Sequence, residues 1–170
     1  AALPHPDDGD LFFDFEGDPL YTEGAGERWG LDYLFGMVDV NAEFTAFWGH
    51  DFAEERLALE AFLAFVKERR ARYPRMHIYH YAAYEQTHLL ALAARHGVGE
   101  EEVDGLLRDG VLVDLYPLVR KAVRVGSRSY SIKKLEPLYM GTELRESEVT
   151  NGADSITEYA NARDLLALGR

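Results

Sequence analysis

Asp14 and Glu16 are the first residues whose types and spacing suit chemistry. They stand in Leu11–Pro19 (LFFDFEGDP), a run otherwise dense in Phe and Leu. In a β-strand successive side chains alternate between faces. Leu11, Phe13 and Phe15 then point one way, and Phe12, Asp14 and Glu16 the other. The two carboxylates share a face, with Cα atoms roughly 6.5–7 Å apart. Acids at that spacing can share a pair of divalent cations, which lie about 3.5–4 Å apart in two-metal phosphoryl-transfer sites. Two uncompensated acids in a buried strand would be very costly. A cation, or a cleft open to water, removes that cost. D-x-E alone also suits the wet face of an edge strand, so the pair needs further acids to make a site.

Glu85 supplies a third. Glu85, His88, Leu89 and Leu92 fall at i, i+3, i+4 and i+7, which predicts a helix from about Ala82 to His96, ended by Gly97. Glu85 shares the stripe of the leucines and is aimed at the sheet. The bland alternative is a first-turn acid that favours the helix dipole. His77-x-x-His80 would place its two rings on opposite sides of a strand, and reads as structural rather than as a zinc site.

The elements that must position these acids follow from pattern. Trp29–Val40 is rich in aromatic and β-branched residues and reads as a second strand after a turn at Tyr21–Arg28. Glu43–Gly49 alternates Phe44, Ala46 and Trp48 with Thr45 and Phe47 and reads as a third, joined by a short connection. Asp51 offers an N-cap to a helix whose core stripe is Leu59, Phe62, Leu63 and Val66, stopped at Tyr73-Pro74. Met76–Tyr81 is a fourth strand, parallel to an earlier one because a helical crossover precedes it. After the helix of Glu85 come an acidic helix, Gly99–Arg108, and a fifth strand, Val111–Leu115. Asp114 caps a helix around Pro117–Val125, and another spans Ser131–Tyr139. A last helix starts at Asp154 or Ser155, with Ser155 and Glu158 in a capping-box pattern. This order predicts an α/β domain: a mixed sheet, three antiparallel strands then parallel ones, with helices on both faces. At 170 residues the expectation is one domain, 1–170. A start without Met reads as a fragment of a longer protein.

Composition narrows the function classes. With no cysteine, disulfides and thiolate metal ligands are excluded and a reducing compartment is natural. There is no signal peptide and no membrane-spanning run, so the expectation is a cytoplasmic protein without a membrane partner. A net charge of −12 argues against a duplex-coating protein, but the distribution matters more than the sum. Pro117–Lys134 holds Arg120, Lys121, Arg124, Arg128, Lys133 and Lys134 and no acid. Lys67, Arg69, Arg70, Arg72 and Arg75 form a second cluster. Each suits a solvated helix face, and each is also compatible with a local nucleic-acid groove. There is no Gly-rich phosphate loop and no nucleophilic serine motif.

With these residues in place, the chain resembles the ribonuclease H-like exonuclease domain of the DEDD superfamily, and more narrowly that of predicted RecB-family nucleases. The first family motif, D-x-E on the first strand, matches Asp14 and Glu16. The second matches His80-Tyr81-Ala82-Ala83-Tyr84-Glu85, with Glu where the family has Asp. Ser129–Tyr139, and Asp114 with its apolar neighbours, resemble the segment that follows. The third motif is Tyr or His with Asp four or five residues on. It has one counterpart, Tyr159 and Asp164, unless the fourth carboxylate lies beyond Arg170.

The resemblance implies a metal-dependent 3′–5′ exonuclease. Asp14, Glu16, Glu85 and a fourth acid, Asp164 or one downstream, would hold two Mg²⁺ or Mn²⁺ ions, and Tyr159 would orient the attacking water. The bases of 117–134 would hold single-stranded or frayed DNA or RNA. Tyr81, Tyr84 and Tyr130 could stack on bases, although tyrosines so close to a sheet are more often core. A competing reading is a catalytically degenerate domain of the same fold that positions nucleic acid, or a fused or associated nuclease or helicase domain. The Glu at 85 and the poor third motif favour it. A third reading is an endonuclease on the same metals.

Overall fold

β1 (Leu11–Thr22) is the central strand of a five-stranded sheet of order β3-β2-β1-β4-β5. It pairs antiparallel with β2 (Trp29–Asp39) and parallel with β4 (Ile78–His80). β2 pairs antiparallel with β3 (Phe44–Trp48), and β4 parallel with β5 (Leu112–Asp114). A computed structural model of the chain describes residues 3–24, 29–141 and 152–168. The expected α/β mixed sheet, three antiparallel strands followed by parallel ones, is the observed one.

The alternation in β1 decides which face is core. Leu11, Phe13 and Phe15 are buried with Phe35 and Met37 of β2. Against them lie α1 (Phe52–Arg72), α2 (Tyr84–His96) and α3 (Glu100–Arg108), through Leu59, Phe62, Leu89, Leu92 and Val103. The Phe13 and Phe62 rings stack with centroids 4.8 Å apart. Burying a Leu or Phe contributes about 1.5–3 kcal/mol, so this layer carries the fold. On the other face, residues of α4 (Leu115–Ala122) and α5 (Ile132–Met140) wall a cleft over the even-numbered residues of β1. α6 (Gly152–Leu168) stacks Tyr159 on Tyr33 of β2, with centroids 3.7 Å apart.

Three elements differ from expectation. β1 runs past Gly17-Asp18-Pro19, a sequence that favours a turn, to Thr22, because β2 is long enough to pair Asp18 with Leu31 and Thr22 with Trp29. The register slips between Glu16 and Gly17, a bulge of the kind found beside functional sites. Only glycine fits there: a Cβ at Gly17 would meet Asp32 Oδ1 at 2.6 Å. Residues 25–28 of the expected turn lie outside the described residues. α4 starts at Leu115, two residues early, since Asp114 Oδ1 accepts from the Tyr116 amide at 2.9 Å. Ser155 lies inside α6 instead of capping it, with its hydroxyl 2.8 Å from the Tyr33 hydroxyl. No helix among the described residues is long and apolar enough to cross a membrane.

Candidate active site

Asp14 and Glu16 lie on the open face of β1, opposite Gly36 and Leu34 of β2. Glu85 comes from the first turn of α2 and is buried, 3% exposed. All three line one cleft of about 890 Å³ that also takes in Phe12, His80 and Lys133. Glu85 reaches it because the chain turns sharply between β4 and α2. Ala82 adopts φ 74°, a strained left-handed conformation for a residue with a Cβ. That turn is held from both sides. The Ala82 amide donates to Asp114 Oδ1 at 2.8 Å, and its carbonyl accepts from His80 Nδ1 at 2.7 Å. The same His80 nitrogen, which must carry its proton to meet a carbonyl, lies 3.1 Å from Glu85 Oε2. His80 therefore fixes the carboxylate in place.

The electrostatics are those of crowded acids. Asp14 keeps contact with solvent, but the cleft walls displace much of its water. That desolvation, then the charges of Glu85 and Glu16 and a hydrogen bond with Glu85, push its carboxyl up to about 7. The backbone N–H of Phe15 opposes this. Asp14 thus keeps its proton to near neutrality, hydrogen-bonded with Glu85. Tyr84, half-exposed, lines the neighbouring pocket with Asp32 and His88 and feels the same acids. Burial, followed by Asp32, Glu16, Glu85 and Asp14, raises its phenol well above the usual range, so it stays a donor.

Among the described residues no three His, Cys, Asp or Glu side chains stand in a metal-binding arrangement. The donor chemistry still suits a hard divalent cation. Two carboxyls are close enough to hydrogen-bond and a third is two residues along the strand, so acids are crowded where a cation would relieve them. The pH dependence has a definite sign. Asp14 titrates near 7 in the folded chain and near 3.8 when exposed. Its contribution to stability is therefore full below about pH 4 and is lost as pH rises to about 7. A divalent cation bound by these acids would reverse that loss. Saturating Mn²⁺ is expected to raise the melting temperature by several degrees at pH 8 and by less than half as much at pH 5.5. A shift independent of pH, in calorimetry at fixed ionic strength, removes Asp14 from the ligand set.

The other expected site residues lie elsewhere. Tyr159 is held between Tyr33 and His50, whose Nδ1 is 2.9 Å from its hydroxyl. Asp164 is exposed beside Arg163, with Oδ1–Nε at 3.7 Å. Neither lines the cleft of the three acids. Of the bases in 117–134, Lys133 lines it, next to Ser129 and Ser131. Arg120, Lys121, Arg124, Arg128 and Lys134 are exposed, and Arg120 sits over the Tyr116 ring. The second basic cluster is partly consumed structurally: Arg69 pairs with Asp39, Arg70 with Asp109 and Arg75 with Asp7. The Tyr81 hydroxyl donates to the Tyr130 carbonyl, and the Tyr130 hydroxyl to the Val123 carbonyl, so both rings brace the 115–131 segment.

Sequence reading missed His80 as the group that orients Glu85, and Tyr84 as a donor among the acids. The H-Y-A-A-Y-E spacing was the available signal. It also missed Asp32, a buried acid whose Oδ2 lies 2.7 Å from His88 Nδ1, while the His88 ring stacks on Tyr84 at 3.7 Å.

This sheet order, with two acids on the open face of its central strand, is consistent with a nuclease-type fold. Residues 11–163 match the family model RNase_H_2, of the RNase H superfamily. The chain belongs to that superfamily. A search of curated proteins gives no match.

Proposed function

We propose that this domain is a divalent-cation-dependent nuclease, acting as a 3′–5′ exonuclease on single-stranded or frayed nucleic acid. The observation that carries this is the Asp14–Glu85 carboxyl pair, with Glu16 beside it, in one open cleft. Superfamily membership supports it, since RNase H-like nucleases typically use divalent metals.

Asp14, Glu16 and Glu85 would hold Mg²⁺ or Mn²⁺, and the cation would supply charge stabilisation to the phosphodiester and a more acidic water. The chain's own groups do the rest. Lys133, with the Ser129 and Ser131 hydroxyls, would bind the phosphate of the strand. Tyr84, kept protonated by the acids around it, would donate to the attacking water or to a phosphate oxygen. His80 would hold the Glu85 oxygen toward the cleft and leave Asp14 to exchange its proton for the cation. The exposed bases Arg120, Lys121, Arg124, Arg128 and Lys134 would attract the rest of the strand.

A second reading keeps the fold and drops the chemistry: a domain that positions nucleic acid or a neighbouring nuclease or helicase domain. It is favoured by the placement of Tyr159 and Asp164 away from the three acids. The two separate in one assay, with 5′- and 3′-labelled single strands, Mn²⁺ or chelator. Stepwise shortening from the 3′ end, dependent on Mn²⁺ and absent in Asp14→Asn, is the expected result. Internal cuts would make it an endonuclease. Binding without any cutting would leave the positioning role.

A further inference from the structure

Residues of even number on β1, β2 and β3 share the open face, and the register arranges them in rows. Phe12, Val38 and Phe44 form one row, and Asp14, Gly36 and Ala46 the next. The row that starts at Asp14 has no bulky side chain beyond it. The Phe44 ring leans into that space: a Cβ on Gly36 would lie 3.4 Å from Phe44 Cε2 and 3.6 Å from the Asp14 carbonyl oxygen. Phe44 is 63% exposed and Phe12 is 47% exposed. The Phe12 ring is steadied by stacking on Tyr79, with centroids 5.6 Å apart and planes at 25°. Both rings line the cleft of the acids. On the β4 side, Ser129, Ser131 and Lys133 line it too, tied there by the Tyr81–Tyr130 hydrogen bond.

The cleft thus has the Phe44 ring toward β3, the Phe12 ring over β1 and β4, hydroxyls and an ammonium on the β4 side, and carboxylates on its floor. A single strand of nucleic acid offers planar bases and phosphates, which suit the exposed Phe44 ring at one edge and the Ser129, Ser131 and Lys133 groups at the other. An exposed ring beside a basic strip is a stacking platform for a base. We propose that Phe44, leaning over Gly36, forms with Phe12 a platform for the nucleobase next to the phosphodiester held at Asp14. The proposal rests on the nuclease reading for what lies over the carboxylates and adds how the substrate is recognised: by base planes, without sequence preference.

The test is equilibrium binding, by fluorescence anisotropy in EDTA, of a labelled thymidine decamer and of an abasic decamer with the same phosphates. Wild type is expected to prefer the base-bearing strand about tenfold. Phe44→Ala and Phe44→Leu should cut that ratio about fivefold or more, and Phe44→Trp should keep it. The salt dependence should be the same in all, since the phosphate contacts are untouched. Equal binding of both decamers by wild type, or a ratio unmoved in Phe44→Ala, overturns the platform. Loss of a dimer in Phe44→Ala by sedimentation also overturns it, since the ring would then face a second copy. If Mn²⁺-dependent cutting persists while the ratio ignores Phe44, the platform fails and the nuclease reading stands. If the ratio follows Phe44 but no strand is cut, the platform stands and the nuclease reading fails.

Discussion

Asp14→Asn is expected to lower strand cleavage by at least about a thousandfold while making the cation-free protein more heat-stable at pH 8. The two effects share one cause. Asp14 sits among Glu85 and Glu16, which together with burial push its carboxyl up to about 7. Above that pH the folded chain must hold three negative charges in one cleft, and the unfolded chain need not. Asparagine keeps the shape and removes one charge, so the melting temperature at pH 8 rises by a few degrees and that at pH 4 is unchanged. The same charge is what would hold the cation. Stabilisation of phosphoryl charge by a metal amounts to several kcal/mol, and each 1.36 kcal/mol is a factor of ten in rate, so the loss is about a thousandfold or more. The cation-dependent gain in melting temperature should vanish as well. A variant that cuts at near wild-type rate would remove Asp14 from the chemistry. A variant less stable than wild type at pH 8 would show that Asp14 has a counter-charge in the folded chain.

Glu55→Ala is expected to destabilise the fold by about 3–5 kcal/mol, which lowers the melting temperature of a chain this size by about 10 °C or more. Glu55 is 0% exposed, on the first turn of α1, where a surface acid would favour the helix dipole. Instead its oxygens accept from the Asp32 amide at 2.7 Å, from Arg95 at 3.0 Å and from His96 Nε2 at 2.6 Å. Arg95 also donates to the Gly30 carbonyl at 2.8 Å. One carboxylate therefore joins α1, the last turn of α2 and β2. Deleting it leaves buried donors to be desolvated without the acceptor on which they converge. Since Glu85 starts the helix that Arg95 and His96 end, the variant should also loosen the carboxylate cleft. Glu55→Gln, which keeps an acceptor, should lose less. A Glu55→Ala melting temperature within about 2 °C of wild type would contradict this account.

Much of the architecture was legible because its signals are local. Alternation in LFFDFE assigns Asp14 and Glu16 to the face opposite the core, since a strand has a period of two whatever surrounds it. Glu85 on the leucine stripe of α2 follows likewise from helical spacing. Expectation failed where a longer partner overrode a local breaker: β1 runs through Pro19 because β2 extends to meet it. Ser155 looked like a cap because Glu158 follows it, yet Tyr33 draws it into a side-chain contact 122 residues away in sequence. No local pattern carries such a pairing.

The same division holds for the site. The residue types and spacings of β1 and α2 determined that three acids would face the sheet, because strand and helix geometry are properties of the backbone itself. Only the tertiary structure decided which acids meet. It brought Glu85 to Asp14 through the strained turn at Ala82, braced by Asp114 and His80. It set Tyr159 against Tyr33 and His50 and Asp164 beside Arg163 rather than among the acids. It also placed Glu55, an acid of the first turn of α1, in the buried joint of three elements. The reason is physical. Pairwise electrostatics and close packing fall off within a few ångströms in space, and distance along the chain says little about distance in space once the chain has folded.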